Sequence, residues 1–317
     1  MKLKYFVFIA LLTLTLPVLA QETTLEEIVI EVQGILPEGV EYDAEGERFL
    51  FGSLTEGTIR QITEGGEAEP FIEDEDLVSS VGIHIDTANN RLLVANSDVS
   101  ILMGGGEGNG MAMLGAYDLE TGERLFMADL GALLPDTPHF ANDVAVDASG
   151  NAYVTDSLTP AIYIVDMRGN AEIFLLDQQL MGGSFGLNGI DVHPDRYLLV
   201  ASGSSLYKIQ LDDSSELTEV ELSEPLSIDG MVLTEDGTTL YAVAATGDLT
   251  TGGLQEVVEV TSEDGWETAE VISRIETGGN ATTLALRDGI PYFINVYFGN
   301  PQAEQYEIVP VTFEAVG

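Results

Sequence analysis

The sequence contains no cysteine, and only 11 of its 317 residues are lysine or arginine, against 54 aspartates and glutamates. Without thiols the chain can form no disulfide and can carry no thiol-linked lipid, although an exported compartment would permit disulfides. A surface with so few basic groups repels nucleic acid and anionic membranes. The acidic excess is typical of a solvated coat in salty water, and a field that attracts cations is equally compatible with it.

The sequence also has few long apolar runs, and the first twenty residues hold the longest one. Lys2 and Lys4 precede an apolar run over Phe6–Leu19, and a small-residue cleavage site ends at Ala20. The run is short for a membrane span, and the pattern predicts a signal peptide. We expect a mature chain of residues 21–317 that forms a single domain and is secreted or periplasmic.

One strand–turn–strand pattern recurs six times in the mature chain. Each copy has an alternating apolar strand, a polar turn and a second apolar strand, which indicates antiparallel hairpins. Further strands follow in most copies, so that each unit has about four strands, and radial repetition of four-stranded units is typical of a β-propeller. The copies begin at Glu38, Val81, Asn142, Asn188, Asp229 and Ala281.

The two ends of the chain complement each other in this scheme. The last unit supplies three predicted strands and ends with Glu304–Phe313, whereas the segment Thr24–Val32 precedes the first unit and has no partner of its own. Pairing the two would cover an exposed sheet edge. The sequence therefore predicts an all-β protein, a six-bladed β-propeller closed by an N-terminal strand.

The first residues of the six units are expected to form a ring, because the first strand of each propeller blade lines the central channel. Two carboxylates and two amide oxygens suit a hard cation such as Ca²⁺, which accepts six to eight oxygen ligands. Zinc would recruit histidine or cysteine, and the ring has neither. Asn or Asp before Gly is also common in turns, which leaves a structural alternative open for each position alone. The oxygen donors are Glu38, Asn142, Asn188 and Asp229, and the two other ring positions are Val81 and Ala281.

Four motifs, in this order and register, resemble the gluconolactonase/regucalcin-like family of six-bladed calcium-dependent hydrolases, which is related to the paraoxonase and phosphotriesterase propellers. The resemblance covers nearly the whole mature chain. It implies one catalytic Ca²⁺ at the channel mouth, held by the four oxygen donors, and hydrolysis of a sugar lactone or related ester. The motifs are PEGVEYD around Glu38, FANDVAVD around Asn142, GLNGIDV around Asn188 and SIDGMVL around Asp229.

The sequence departs from some of these relatives at two ring positions. Phosphotriesterase and paraoxonase relatives place a histidine where this chain has Val81 and Ala281, and neither side chain can move a proton. Lactonase relatives assign the base to the aspartate ligand, so the resemblance implies that Asp229 is both ligand and catalytic base. The resemblance thus favours lactones or esters over phosphotriesters. A non-catalytic binding or sensor propeller with a structural calcium is the alternative.

Three histidines complete the candidate groups. His139 lies in a predicted loop just before Asn142, close to the channel mouth, and is a second candidate for proton transfer, although a loop histidine is more often simply exposed. We expect structural roles for His84, on an inner strand, and for His193, in a far-side turn. The expected partner is a small-molecule lactone or ester, with no nucleic acid and no membrane span, and a monomer is the default.

Overall fold

The computed structural model describes residues 25–313, except residues 64, 106–107, 184, 246–254, 279, 297–302 and 304. The predicted signal peptide lies outside these residues. In the ranges described, the chain forms strands and a few 3-10 helices of three residues each. Within the same ranges, no helix has the length and apolar character needed to cross a membrane.

The strands, in chain order, are β1 (Ile28–Ile30), β2 (Pro37–Asp43), β3 (Arg48–Ser53), β4 (Ile59–Thr63), β5 (Glu69–Ile72), β6 (Ser79–Asp86), β7 (Arg91–Ser97), β8 (Gly110–Asp118), β9 (Arg124–Asp129), β10 (His139–Val146), β11 (Ala152–Asp156), β12 (Ala161–Val165), β13 (Ala171–Leu176), β14 (Leu187–His193), β15 (Tyr197–Ser202), β16 (Ser205–Gln210), β17 (Leu217–Glu219), β18 (Glu221–Leu222), β19 (Ser227–Leu233), β20 (Thr239–Ala245), β21 (Gln255–Thr261), β22 (Thr268–Glu276), β23 (Asn280–Arg287), β24 (Ile290–Val296) and β25 (Tyr306–Pro310). The 3-10 helices are Thr87–Asn89, Val99–Ile101, Gly131–Leu133 and Gln178–Leu180.

Among the described residues, the strands join into five hydrogen-bonded sheets, where the sequence predicted six. Four sheets each cover one predicted unit: β2 to β5, β14 to β17, β18 to β22, and β23 to β25 with β1. The fifth sheet runs from β6 to β13 and covers two units, because β8 and β10 pair in parallel through His139 opposite Gly110 and Phe140 opposite Met111. The fold is all-β and propeller-like, and the expectation of one separate sheet for each of the six units was wrong, because this pairing joins two units into one sheet.

The N-terminal segment belongs to the sheet of the last unit. Strand β1 pairs antiparallel with β25, with Ile28 opposite Ile308 and Ile30 opposite Tyr306. Ile28 and Ile30 are buried in a cluster that also contains side chains of β2 and β3. The unpartnered segment of the sequence thus supplies a fourth strand to the three that end the chain.

Apolar clusters fill the spaces between consecutive units. Six clusters each combine side chains of two neighbouring units, and one of them combines the last unit with the first. The second strands β7 and β15 are buried along their whole length, which explains their nearly continuous apolar runs RLLVANS and YLLVAS. Each sheet is therefore packed on both faces.

The first strand of each unit contacts the first strand of the next, and the cycle β2, β6, β10, β14, β19, β23 returns to β2. The strands approach closely. A Cβ atom added to Gly189 would lie 2.5 Å from the carbonyl oxygen of Asp229, and one added to Gly82 would lie 2.5 Å from Oδ1 of Asp143. Glycine is needed there because no other residue leaves room for the neighbouring strand.

Candidate functional site

The four predicted ligands all lie at β-bulges near the start of these inner strands. In β2, Pro37 pairs with Ser53 and Val40 with Phe51, so that Glu38 and Gly39 lie outside the ladder. The same shift leaves out Asn142 in β10, Asn188 in β14 and Asp229 in β19. A bulge redirects side chains locally, which explains why poor strand formers occupy these positions.

The sixth ring position is Thr282, and the prediction of Ala281 was wrong by one residue. The bulge of β23 lies between Ala281 and Leu284, and Ala281 itself pairs with Asn295 and is buried in the core. Thr282 is buried and donates a hydrogen bond of 3.2 Å from Oγ1 to the carbonyl oxygen of Glu38. If the six units had been aligned on the apolar residue that follows each bulge, such as Val40 in β2 and Leu284 in β23, Thr282 would have been found. Val81 does lie at the bulge of β6, as predicted.

Glu38 is a buried carboxylate and Asp229 is a partly buried one, and neither has a cationic partner among the described residues. Glu38 is 9% exposed, and no described residue donates a hydrogen bond to its carboxylate. Burial raises the pKa of Glu38 well above its usual range, and repulsion from Asp229 and Asp143 raises it further. Burial also raises the pKa of Asp229 to about 7, against the hydrogen bond from Asn188. The pair requires protons or a cation.

Hydrogen bonds fix the amide groups of both asparagines. Asn188 Nδ2 donates to Asp229 Oδ1 at 3.0 Å, and Asn142 Nδ2 donates to Ser157 Oγ at 2.9 Å. Ser157 Oγ in turn donates to the carbonyl oxygen of Leu187 at 2.7 Å. Because each NH₂ group is engaged, Oδ1 is the atom of each amide that remains for a ligand. Ser157 is a supporting residue that sequence reasoning missed, since only the fold brings it beside Asn142.

This donor set fits a hard divalent cation. Two carboxylates and two amide oxygens are ligands that Ca²⁺ accepts, and a cation would relieve the unpartnered charge of Glu38. No group of three or more His, Asp or Glu side chains is arranged to hold a metal in the part of the chain that the structure describes. The site is therefore unlike a histidine-rich zinc centre, and its amide oxygens would be essential ligands.

A second layer of polar groups lies deeper in the channel. His84 Nδ1 is 3.2 Å from Glu41 Oε1, and Asp143 and Asp191 also act on the imidazole electrostatically. Burial lowers the pKa of His84, but the hydrogen bond and charge of Glu41 and the charges of the two aspartates outweigh this and raise it to about 9. The side chain keeps 30% exposure, in the channel. A pKa of about 9 favours the protonated imidazolium at neutral pH, and the structural role of His84 stays a prediction.

Backbone amides partner the two aspartates of this deeper layer. Asp143 accepts hydrogen bonds from the N–H groups of Val144 and Ile190, at 2.9 and 3.1 Å. Asp191 likewise accepts from Val192 at 2.7 Å and from Leu233 at 2.7 Å. Each carboxylate thus links its own inner strand to the next one.

The prediction that His139 lies in a loop was wrong. His139 is the first residue of β10, and it is buried. Its Nδ1 lies 2.7 Å from Asp156 Oδ2 and its Nε2 lies 2.9 Å from the carbonyl oxygen of Leu134. Both partners are acceptors, so both nitrogens are donors. Burial lowers the pKa of His139, but these two hydrogen bonds outweigh it and raise the pKa. Proton transfer by His139 stays a prediction that this geometry disfavours.

Fold and site together define an all-β, propeller-like protein with a polar ring at the starts of its inner strands, and this ring contains one buried and one partly buried carboxylate. Residues 36–273 match the family model described as SMP-30/Gluconolactonase/LRE-like region, and the chain belongs to this family. All four predicted ligands lie within the matched residues. A search of curated proteins found no match.

Several solved structures share the fold at low sequence identity. The allergen Mala s 1 of Malassezia sympodialis has a TM-score of 0.75 at 16% identity, over 92% of this chain and 96% of that one. A candidate gluconolactonase has a TM-score of 0.61 at 16% identity, over 91% and 93%. A luciferin-regenerating enzyme has a TM-score of 0.58 at 12% identity, over 91% and 97%. At these identities the likeness concerns the fold alone.

Proposed function

We propose that this protein is an exported, calcium-dependent hydrolase of a lactone or related ester. The observation that carries the proposal is a pair of carboxylates, the buried Glu38 and the partly buried Asp229, whose mutual repulsion raises the pKa of Glu38 and which have no cationic partner among the described residues. Family membership supports the same chemistry. Calcium would be held by Glu38, Asn142, Asn188 and Asp229.

A bound Ca²⁺ supplies a Lewis acid for the substrate carbonyl and lowers the pKa of a coordinated water. Asp229 is the proton acceptor in this proposal. Asn188 holds its Oδ1, whereas Oδ2 accepts no hydrogen bond from a described residue and is the atom that we assign to proton transfer. Glu38 contributes charge, and Ser157 keeps the Asn142 amide in its orientation.

We also propose that the scaffold is a six-bladed propeller closed by the N-terminal strand. The closed cycle of six inner strands and the pairing of β1 with β25 support this. Deletion of residues 24–32 should expose a sheet edge and core surface, and should give insoluble or readily proteolysed protein. An unchanged melting temperature of the deleted protein would refute the closure.

Export rests on the predicted signal peptide. Expression of the full chain with its leader should give mature protein that begins at Gln21, which N-terminal sequencing or mass spectrometry of the extracellular or periplasmic fraction would detect. Retention of the intact leader in the cell would contradict it.

A panel of lactones and esters, assayed with Ca²⁺ and with a chelator, tests the proposed activity. We expect hydrolysis that depends on Ca²⁺, is lost in Asp229→Asn and persists into mildly acidic pH, because a metal ligand keeps its charged form there. In parallel, we expect calorimetry to detect tight binding of about one Ca²⁺ ion per chain, in addition to weak binding by the acidic surface. Calcium binding with no activity on any member of the panel would favour a binding module instead.

A further inference from the structure

One apolar cluster lies at the channel mouth, in contrast to the six clusters between units. We call it the mouth cluster. Its buried members are Leu54, Val81 and Phe140, and its partly buried members are Leu36, Val99, Ile101, Leu158 and Phe185. The inner strands begin at the ring, so loops that follow second strands or precede first strands lie on the same face as the ring.

The mouth cluster is continuous with the ring itself. Val81 is a ring residue at the bulge of β6 and at the same time a buried member of the cluster. In the cycle of inner strands, Val81 lies between Glu38 and Asn142 and opposite Asp229, three units away. A substrate whose reacting carbonyl reaches the carboxylates would therefore have one side against apolar side chains.

The apolar character extends outward to the rim of the mouth. The 3-10 helix Val99–Ile101 continues into Leu102, which is 42% exposed, and Met103, which is still more exposed. Met181 is also exposed and precedes Phe185 by four residues. Exposed apolar groups that are near a partly buried cluster in sequence and lie on the face of a site are typical of a binding surface.

Several hydroxyl groups around the cluster are already engaged. Ser97 Oγ donates to the carbonyl oxygens of Ala141 and Met111, and Ser79 Oγ donates to that of Leu54. Ser53 Oγ accepts from the Leu36 N–H, and Ser202 Oγ donates to the carbonyl oxygen of Leu180. A polyhydroxylated ligand on this side would find few free hydrogen-bond donors and a mostly apolar surface, which costs affinity.

We propose that the mouth cluster binds the alkyl or acyl substituent of the substrate, so that the substrates are alkyl-substituted lactones or esters rather than sugar lactones. The proposal rests on the proposed function, since it specifies the substrate of the same site. Complete burial of each added methylene would raise kcat/KM about fourfold. Partial burial of the substituent in an open channel mouth would raise kcat/KM less, by about twofold for each added methylene.

The test compares γ-lactones that carry no substituent, an ethyl, a butyl or a hexyl group, with gluconolactone as the polyhydroxylated probe. We expect kcat/KM to rise with chain length and to exceed that for gluconolactone. Ile101→Ser with Leu102→Gln should lower kcat/KM for the hexyl lactone about tenfold and leave the unsubstituted lactone nearly unchanged. The control is Ile272→Ser, which changes a 46% exposed isoleucine of β22 and should affect neither.

Calorimetry with the matching γ-lactams, which resist hydrolysis, separates this proposal from the proposed function. If no lactone is hydrolysed but lactams bind more tightly with chain length, and the Ile101 and Leu102 variant loses that trend, the hydrolase assignment fails and the apolar site stands. Hydrolysis without dependence on chain length, or with preference for gluconolactone, would overturn the apolar site and leave the hydrolase. An equal loss in the Ile272 control would overturn it as well.

Discussion

The inner strands carry two layers of buried or partly buried acidic groups, and the layers differ in the partners of their carboxylates. In the deeper layer, His84 pairs with Glu41, and backbone N–H groups partner Asp143 and Asp191. In the ring layer, no described residue donates to the carboxylate of Glu38, and Asp229 receives one amide hydrogen bond. Protein groups partner every carboxylate of the deeper layer, whereas the carboxylate of Glu38 in the ring layer has no partner among the described residues.

This difference in carboxylate partners indicates that the ring layer, and not the deeper layer, is the candidate functional site. Burial raises the pKa of one carboxyl in each layer to about 7, that of Asp143 in the deeper layer and that of Asp229 in the ring layer. These pKa values alone therefore do not distinguish the two layers. Hydrogen-bond partners do separate them, because a satisfied carboxylate has a structural explanation and an unsatisfied buried one does not.

The largest expected effect comes from removing both charges of the ring layer. Glu38→Gln with Asp229→Asn should abolish the tight calcium site and all calcium-dependent activity. The rise in melting temperature with Ca²⁺ should disappear too, since a ligand that binds the folded state stabilises it, by about 2.7 kcal/mol at a hundredfold excess over Kd. The control is Asp195→Asn, a far-face residue that is 83% exposed. Calcium binding that survives in the double variant would place the site elsewhere.

Asp229→Asn alone separates the ligand role from the base role. If Asp229 is both, turnover should remain lower by about 10²-fold or more even when Ca²⁺ saturates the site. Steady-state kinetics at increasing calcium concentration measures this. Recovery of most of the rate at saturating Ca²⁺ would leave Asp229 as a ligand only.

His139→Ala tests whether a balanced pair contributes to stability rather than to chemistry. Removing the imidazole leaves the buried Asp156 carboxylate without its ionic partner, and the free energy of unfolding should fall by about 3 kcal/mol. Urea unfolding measures this, while kcat on a lactone with calcium bound should stay close to wild type. Loss of activity in a folded, calcium-loaded variant would instead make His139 the base.

The pH dependence of stability probes the deeper layer. The pKa of His84 is about 9 in the folded protein and 6.5 in the unfolded chain, so its contribution is complete below pH 6.5 and is lost as the pH rises through 9. His84→Gln should therefore lower the free energy of unfolding by about 2 kcal/mol at neutral pH and by much less at about pH 10. The acidic coat affects both proteins alike, so the difference between them isolates His84. A difference that does not change with pH would contradict the assignment.

The smallest expected effect concerns the corrected ring position. Thr282→Val removes the hydrogen bond to the carbonyl oxygen of Glu38 and should cost about 1 kcal/mol of stability. Thr218→Val, at an exposed position of β17, is the matched control. Equal stability of the two variants would remove Thr282 from the ring.

The sequence by itself predicted most of the strands, their turns and the placement of five of the six ring residues. Alternation of apolar residues reports burial of one strand face, and the repeat brings Glu38, Asn142, Asn188 and Asp229 to equivalent positions. These are local properties, so they can be predicted from a single amino-acid sequence. The same repeat failed at Ala281, because the sixth unit has Thr283 where four of the other units have glycine, and the shift of one residue became visible only in the pairing of Leu284 with Phe293.

Only the tertiary structure decided which strands pair, which apolar side chains pack together and which groups partner the buried polar side chains. The parallel pairing of β8 with β10 makes His139 a buried strand residue and merges two predicted sheets into one. The mouth cluster draws its side chains from segments more than a hundred residues apart, from Leu36 to Phe185. The hydrogen-bond partner of a carboxylate also depends on such distant neighbours, as the amide of Asn188 beside Asp229 shows. Periodicity reports which face of a strand is buried, whereas hydrogen-bond partners and clusters arise from contacts between residues far apart in the chain.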